Sequence, residues 1–349
     1  MSTPLTINSV ETLEQALPII RKAQELYSTF SQEQVDAICE KSAMAVSKMR
    51  IPLAKMACEE TGYGIMVDKV TKNQYASEHV WNYMRNKKTC GVIEENKAFG
   101  TMRIASPKGV IAAITPTTNP TSTTIYKMLL ALKTRNAIIL SPHPHAVNCS
   151  IAAAKIIRDA AIEAGLPEHV ISWVSVPSLE ISDYLMKNVD LIMATGGSGM
   201  VKAAYSSGTP AIGVGPGNCN VVIDESADLR MAVESIIHSK TFDNGMICAS
   251  EQHITVLASV YDEVKRLLKE ARCYFLKDDE AAKVAEVFFN SKTHGVKPGA
   301  VGQTANRLAE MAGIDVPYDT KVLIYETDDT SHDCAWANEK LTTLLGMYK

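Results

Sequence analysis

The chain has 349 residues, 46% of them hydrophobic and 21% charged, so it can bury a sizeable core, and its length predicts two domains. Its net charge of -4 excludes the basic surface that nucleic-acid binding requires, and its apolar runs are too short to span a bilayer. The N-terminus lacks the charged and apolar regions of a signal peptide, and the eight cysteines form no CxxC pair, so we expect a cytoplasmic protein with reduced thiols and no metal site.

The first part of the chain, from about residue 9 to residue 88, has apolar residues at helical spacing. Leu13, Leu17, Ile20 and Ala23 recur at the period that places side chains on one face of an α-helix. The pattern predicts an all-helical lead-in. The stretch 89–106 then has the composition of two strands around a polar centre at 94–97, which predicts an extended hairpin.

From Gly109 onward, short apolar runs alternate with segments of helical length. The runs are 110–114, 137–140, 170–176, 191–194, and 211–214 continuing to 221–223, and the helical segments are 121–133, 146–164, 179–187 and 199–206. Such alternation predicts βαβ units, and therefore an α/β fold with a parallel sheet covered by helices on both faces. After Cys248, a strand at 253–257, a helix at 261–271 and a late strand at 321–325 predict a second α/β unit.

Three polar segments follow directly after predicted strands: 115–119, 141–144 and 195–199. Ligands of open parallel sheets bind at the carboxyl ends of the strands, so we expect a binding site there. Gly196 and Gly197 would let the backbone approach a ligand closely, and a helix starting near Gly199 would direct free N–H groups at a pyrophosphate. The alternative is purely geometric, because a strand, tight turn and helix use glycine in any α/β protein.

One cysteine, Cys248, lies between the turn signal Asn244-Gly245 and the start of a new element. Such a turn can expose the thiol, and a thiolate is a nucleophile. A cysteine of a reduced protein is more often a small buried hydrophobic residue, and we expect that role for the other cysteines. Asn119 also has a plain alternative, because Asn-Pro is a common start of a turn.

These segments together resemble one known family, the CoA-acylating aldehyde dehydrogenases, and in particular the N-terminal domain of the bifunctional aldehyde-alcohol dehydrogenases. The resemblance runs from about residue 9 to the last residue, through the motifs 115–120, 195–199, 201–208, 213–218, 240–252 and 339–341. It implies an aldehyde dehydrogenase-like fold, with a helical lead-in and a Rossmann-like, parallel-sheet NAD-binding domain at 1–227 and an α/β catalytic domain at 228–349. Family members continue beyond the position that matches Lys349, so we expect the catalytic domain to be partial, incomplete at its C-terminus.

The resemblance also assigns roles to individual residues. Cys248 matches the catalytic cysteine, and Asn119 matches the asparagine whose side-chain amide donates to the oxyanion. The positions that match cofactor-binding residues of the family are Thr115, Pro116, Thr117, Ser141, His143, Thr195, Gly196, Gly197, Ser198, Gly215, Pro216, Gly217 and Glu339. The chain has no counterpart of the metal motif found in iron-type alcohol dehydrogenases.

The reaction follows from the same resemblance. Gly213 stands where hydrolytic relatives carry the glutamate that activates water, so we expect coenzyme A as co-substrate, because its thiol is intrinsically nucleophilic, and acyl-CoA as product. Acetaldehyde is the leading aldehyde, with succinate semialdehyde and sulfoacetaldehyde as alternatives. We expect NAD rather than NADP, because 141–149 contains no Arg or Lys to meet a 2′-phosphate.

A hypothesis from a different class is an inactive truncated module that serves contacts between chains in an oligomer or filament. The matched site residues favour the enzyme, whereas the expected loss of the C-terminal part favours the module. In both cases we expect a homo-oligomer. As an enzyme, the protein would have a small aldehyde and CoA as its partners, with neither nucleic acid nor membrane.

Overall fold

The computed structural model describes residues 5–291, 295–331 and 333–349. Within these ranges the chain forms two compact units. The first runs up to Gly62 and from Lys69 to Gly215, and the second comprises Tyr63–Asp68 and Pro216–Lys349. The division after Gly215 precedes the domain boundary that we expected at residue 227. None of the helices in these ranges combines the length and the apolar character needed to cross a membrane.

A run of helices opens the described part of the chain: α1 (Val10–Ser28), α2 (Gln32–Lys48), α3 (Arg50–Thr61), α4 (Met66–Gln74) and α5 (Val80–Met84). Serine side chains cap the first two. Ser9 and Ser31 accept from the backbone N–H groups of Thr12 and Gln34, whose side chains bond back to the cap, so both helices begin with a capping box. The predicted helical lead-in is confirmed.

The predicted hairpin is confirmed as two antiparallel strands, β1 (Gly91–Asn96) and β2 (Thr101–Ala105), with Gly91 paired to Ala105. The turn lies at 97–100 rather than at the expected polar centre 94–97, so Glu94 and Glu95 belong to β1. Nearly all side chains of this hairpin are exposed, and polar residues therefore fit within its strands.

The first unit contains a parallel sheet of the strands β3 (Val110–Ile114), β4 (Ala137–Ser141), β5 (Ile171–Trp173), β6 (Leu191–Thr195) and β7 (Ala211–Val214). Its connecting helices are α6 (Pro120–Lys133), α7 (Val147–Glu163), α8 (Leu179–Asn188) and α9 (Ser198–Ser206). The strand order is β5-β4-β3-β6-β7, so the direction of strand addition reverses between β3 and β6. Ligands of open α/β sheets bind at such a switch point.

The second unit has its own parallel sheet: β8 (Cys219–Ile223), β9 (Glu251–Val256), β10 (Cys273–Phe275), β11 (Val322–Glu326) and β12 (Leu344–Tyr348), in the order β10-β11-β12-β9-β8. Its helices are α10 (Leu229–Thr241), α11 (Tyr261–Glu270), α12 (Asp278–Phe288) and α13 (Ala305–Ala312). β9, α11 and β11 confirm the predicted second α/β unit. The sequence pattern did not predict β10 or β12.

One predicted strand belongs to a different sheet from the one expected. We expected the run 221–223 to continue from 211–214, but β8 pairs with β9 in the second unit, with Val221 opposite Ile254. Pro216 lies between the two runs and has no backbone N–H to donate to a strand neighbour, so β7 ends before it. This change of sheet explains why the unit boundary precedes residue 227.

Candidate active site

Two threonines lie at the carboxyl ends of β3 and β6, at the switch point of the first sheet. The register pairs Ile114 with Ala194. Thr115 and Thr195 are the next residues along the two strands, so they lie side by side. Both hydroxyl oxygens are buried, and neither has a hydrogen-bond partner among the described residues. Because a buried hydroxyl without a partner costs about 1–3 kcal/mol, both side chains fit a site that a polar ligand completes.

The glycine-rich turn after β6 leads directly into α9. Gly197 occupies the N-cap position of this helix, and within the described chain no side chain caps the helix start. A Cβ atom placed on Gly197 would meet no described atom within 4 Å, and one on Gly196 would meet only Met200, at 3.6 Å. The first backbone N–H groups of α9, beginning with that of Ser198, therefore adjoin open space. This arrangement fits the pyrophosphate of a dinucleotide.

The end of β4 supplies the next pair of expected residues. The Ser141 carbonyl accepts a hydrogen bond from the N–H of Thr115 at 3.2 Å, which ties the ends of β4 and β3 together. Nδ1 of His143 accepts from the N–H of His145 at 3.1 Å. Burial, aided by the neighbouring His145, lowers the pKa of His143 below its usual value. His143 is therefore largely neutral at pH 7.

A carboxylate that the sequence analysis missed lies close by in the fold. Glu60, at the end of α3, accepts from the N–H of Asn148 at 2.8 Å and from the N–H of Cys149 at 2.7 Å, and so caps the N-terminus of α7. Burial acts to raise the pKa of Glu60, but the N–H donors outweigh it, and the pKa lies below its ordinary value. A fixed negative charge thus occupies the helix start that follows β4.

Asn119 is the N-cap residue of α6, but its side chain does not cap the helix. Its Oδ1 accepts a hydrogen bond from Nζ of Lys72 at 2.7 Å, and Nζ of Lys69 donates to the Thr118 carbonyl at 2.9 Å. Neither lysine was expected at the site. Their spacing of three residues, which places them on one face of α4, was the available signal. Pro116 and Thr117, in the same loop as Asn119, are half-buried.

In the second unit, a strained turn precedes Cys248. Three consecutive residues have left-handed backbone angles: Asp243 (φ 47°), Asn244 (φ 54°) and Gly245 (φ 75°). Oδ1 of Asp243 accepts from the N–H of Ile65 at 2.7 Å, and Nδ2 of Asn244 donates to the Gly302 carbonyl at 2.8 Å. Non-glycine residues in this region cost of order 1–3 kcal/mol each, and such strain is concentrated at functional sites.

Cys248 itself lies in a tight turn and is exposed. The N–H of Ser250 donates to the Ile247 carbonyl at 3.0 Å, which closes the turn around Cys248 and Ala249. All eight cysteines have free thiols. Cys39, Cys149, Cys273 and Cys334 are buried as expected, whereas Cys58, Cys90 and Cys219 are only half-buried and Cys248 is exposed. The turn predicted from Asn244-Gly245 is present, and it presents a thiol that a substrate can reach.

Gly217 lies directly against the Cys248 turn. A Cβ atom on Gly217 would be 2.4 Å from the Cys248 carbonyl oxygen, so only glycine permits this approach. The Gly217 N–H donates to Oε1 of Glu339 at 2.9 Å. Burial raises the pKa of Glu339 above its ordinary value. The Gly217 N–H and the charge of Lys240 act in the opposite direction, but their effect is smaller. The second unit therefore brings Gly217, Cys248 and Glu339 together.

Two buried lysines support this group. Oε1 of Gln252 accepts from the N–H of Lys340 at 2.8 Å and from Nζ of Lys240 at 3.3 Å, and Nζ of Lys340 donates to the Gln252 carbonyl at 2.7 Å. Burial lowers the pKa of Lys240 to about 7 and that of Lys340 well below its usual value. The network ties β9 to the segment that carries Glu339.

The expected site residues thus form two groups. The first unit collects Thr115, Pro116, Thr117, Asn119, Ser141, His143, Thr195, Gly196, Gly197 and Ser198 at the carboxyl ends of its strands, with Gly215 just after β7. The second unit holds Cys248, Gly217 and Glu339, with Pro216 exposed at its start. In the described ranges, no group of three or more His, Cys, Asp or Glu side chains is arranged to hold a metal ion.

Comparisons with known proteins agree with one another. Residues 5–284 match the model of the aldehyde dehydrogenase family. The chain is 51% identical over 345 residues to the aldehyde-alcohol dehydrogenase of Clostridium acetobutylicum, covering 99% of this chain and 40% of that protein. The chain therefore spans about two fifths of the length of the aldehyde-alcohol dehydrogenases it matches.

Two solved structures extend the comparison. An acetylating aldehyde dehydrogenase from Geobacillus thermoglucosidasius superposes with a TM-score of 0.93 at 42% identity, over 97% of this chain and 75% of that one. A Rhodopseudomonas palustris propionaldehyde dehydrogenase with bound CoA and an acylated cysteine gives a TM-score of 0.85 at 29% identity, over 99% and 78% of the two chains.

Proposed function

Because the chain belongs to the aldehyde dehydrogenase family, we propose that it converts a small aldehyde and coenzyme A to acyl-CoA, with a nicotinamide cofactor as oxidant, and catalyses the reverse reaction. The observation that carries the proposal is the exposed thiol of Cys248 in a glycine-dependent turn. The solved relatives named as acetylating, or as holding CoA and an acylated cysteine, support it.

Cys248 begins the proposed reaction. Its thiolate adds to the carbonyl carbon of the aldehyde, a C–S bond forms, and the carbonyl oxygen becomes an oxyanion. The side-chain amide of Asn119 and the backbone N–H of Cys248 donate to that oxygen, and each such donor is worth about 3 kcal/mol at comparable sites. When bound, the cofactor supplies the acceptor for the hydride that leaves the former aldehyde carbon. Departure of the hydride re-forms the carbonyl group, which leaves a thioester on Cys248. The thiol of CoA then gives up its proton to solvent and attacks the thioester carbon, so that acyl-CoA forms and Cys248 leaves as thiolate.

The residues that would hold the cofactor follow from the first sheet. We assign the pyrophosphate to the N–H groups at Gly197 and Ser198, where no Cβ or side chain fills the space among the described residues. The buried hydroxyls of Thr115 and Thr195 are available as further partners. The first unit is in this proposal the cofactor domain, and the second unit, which carries Cys248, is the catalytic domain.

Gly213 favours CoA over water as acyl acceptor. A Cβ atom at this position would lie 2.7 Å from the Tyr205 ring and 2.8 Å from Cγ1 of Val201. The Tyr205 hydroxyl also accepts a hydrogen bond from the Gly213 N–H at 3.0 Å. The side chains of Val201 and Tyr205 therefore occupy the space where a water-activating glutamate would begin, and the thioester is left for a thiol nucleophile.

Glu60 supports NAD as the cofactor. The adenosine ribose of a dinucleotide lies near the end of the second strand of such a sheet, and a 2′-phosphate there is usually met by Arg or Lys. The segment 141–149 provides neither, and the α7 N-terminus, which would otherwise attract an anion, is already capped by the Glu60 carboxylate. The local charge disfavours the extra phosphate of NADP.

Three further parts of the proposal rest on the family. The aldehyde is acetaldehyde, consistent with the acetylating Geobacillus relative. The protein is a homo-oligomer, and its location is cytoplasmic, where eight free thiols stay reduced.

The Cys248→Ala variant tests the function. The parent protein should form NADH from NAD and acetaldehyde in the presence of CoA, and the variant should lose more than nine tenths of that rate because the nucleophile is absent (roughly 10²-fold or more is typical). NAD binding, followed by tryptophan fluorescence, should stay unchanged. Cys58→Ala, a half-buried cysteine of α3, is the matched control and should retain the parent rate. A Cys248→Ala variant with parental turnover would refute the assignment.

A further inference from the structure

We propose that Lys72 is a positioning residue that orients the side-chain amide of Asn119 toward the oxyanion. The inference rests on the proposed function, in which Asn119 is an oxyanion donor. It adds a residue whose proposed role is exerted through Asn119.

The geometry is a short contact between α4 and the start of α6. Lys72 lies on α4 and Asn119 at the start of α6, and the two residues are 47 positions apart in sequence. Nζ of Lys72 donates to Oδ1 of Asn119 at 2.7 Å. Both side chains are half-buried, so this charge-assisted hydrogen bond is less screened by water than one on the open surface.

The chemistry of the pair decides which end of the amide faces the lysine. An ammonium group has three donors and no acceptor, so Oδ1 faces Lys72, and Nδ2 lies on the other branch of the amide, 3.5 Å from Oγ1 of Thr118. A hydrogen bond accepted by Oδ1 also polarises the amide and strengthens its N–H as a donor. Without the ammonium, the amide can rotate and present Oδ1 to the oxyanion. The two oxygen atoms then repel each other.

Neighbouring contacts fix the backbone on both sides of Asn119. The effect of Lys72 on the side-chain amide can therefore be separated from an effect on the loop. Nζ of Lys69 donates to the Thr118 carbonyl at 2.9 Å, and Oδ1 of Asn73 accepts from the Thr121 hydroxyl at 2.8 Å. These two bonds tie α4 to the residues before and after the asparagine. Removal of the Lys72 ammonium should therefore remove the contact that selects the orientation of the amide and leave the loop in place.

The kinetic test compares Lys72→Met with Lys72→Arg, which keeps a donor, and with Lys55→Met, which removes an exposed lysine of α3. For Lys72→Met we expect kcat to fall on the order of tenfold, part of the loss seen when an oxyanion donor is removed, with little change in the aldehyde KM. Lys72→Arg should recover most of the rate, and Lys55→Met should equal the parent. An unchanged kcat in Lys72→Met, or a loss that Lys72→Arg does not recover, overturns the proposal.

A double variant shows whether the effect passes through Asn119. Lys72→Met in the Asn119→Ala background should leave the rate of Asn119→Ala unchanged within about twofold, because residues that act as one unit are not additive. A further tenfold loss in the double variant would mean that Lys72 acts by another route, and the proposal would fail.

A readout that needs no turnover separates this inference from the proposed function. The side-chain amide resonances of Asn119, observed in protein with isotopically labelled asparagine, should shift in Lys72→Met, with faster proton exchange, and stay unshifted in Lys55→Met. Unchanged Asn119 resonances in Lys72→Met overturn the inference even in an active enzyme. A shift in a protein without aldehyde oxidation supports the oriented amide and contradicts the proposed function instead.

Discussion

At the scale of single residues, the cysteines differ in what surrounds their sulfur atoms. Burial raises the pKa of the Cys273 thiol to about 12, and it raises the pKa of Cys39 and Cys149 as well. Cys248 lies exposed in its turn. Since the thiolate is the reactive form, burial predicts that Cys39, Cys149 and Cys273 react slowly, whereas Cys248 is accessible to a reagent.

Alkylation checks this prediction. Brief treatment with iodoacetamide near pH 7.5, followed by peptide mass analysis, should modify Cys248 at least tenfold faster than Cys39, Cys149 or Cys273, because less than a hundredth of a thiol with pKa about 12 is ionised there. Cys58, half-buried, serves as an internal reference. Equal labelling of Cys248 and the buried cysteines would favour a non-catalytic module.

Glu60 provides a second residue-scale prediction, on cofactor choice. Glu60→Gln removes the negative charge at the start of α7 and keeps an acceptor, so the Kd for NADP should fall roughly tenfold while the Kd for NAD stays nearly constant. Tryptophan fluorescence titration with both cofactors measures this. Glu59→Gln, which neutralises the exposed neighbour of Glu60, is the matched control. The prediction fails if the parent binds NADP more tightly than NAD, or if Glu60→Gln leaves the Kd for NADP unchanged. Either result would show that another group decides between NAD and NADP at the adenosine ribose.

At the scale of elements, the turn 243–245 and the segment before β8 place Cys248 jointly. The left-handed angles of Asp243 and Asn244 are held by contacts to Ile65 and Gly302, which are distant in sequence. Gly217 then allows the Cys248 carbonyl to pack against its backbone. Two loops and their supports, rather than one motif, therefore set the position of the thiol.

Gly217→Ala tests the second support. The added methyl group would lie 2.4 Å from the Cys248 carbonyl oxygen, so the turn must shift, and a shift near 1 Å at a reacting atom costs about a hundredfold in rate. We expect such a loss in kcat, with a smaller change in the urea midpoint. Gly299→Ala, where the methyl group would meet no described atom within 4 Å, should behave as the parent. A fully active Gly217→Ala variant would contradict the role assigned to this close approach.

At the scale of the whole molecule, the acyl acceptor decides whether the protein turns over. Because Gly213 is covered by Val201 and Tyr205, omission of CoA should limit NADH formation to about one equivalent per chain, with the acyl group retained on the enzyme. A rapid-mixing absorbance measurement, with mass spectrometry of the intact protein, detects both signals. Continuous acetate release without CoA would refute the prediction. Gly213→Glu should not create a hydrolase, since its side chain starts inside the space of these two neighbours.

The sequence by itself determined the α/β class, the helical lead-in, the hairpin and most strands of the first sheet, because apolar period and turn residues are local properties. It also singled out the turn before Cys248 and the family motifs. Strand order, the transfer of β8 to the second sheet and the contacts of Glu60 and Lys72 were decided by tertiary structure alone. Glu60 meets its helix 88 positions away, and Lys72 meets Asn119 at a separation of 47. No local pattern encodes such pairs, because they exist only once packing has brought distant elements into contact.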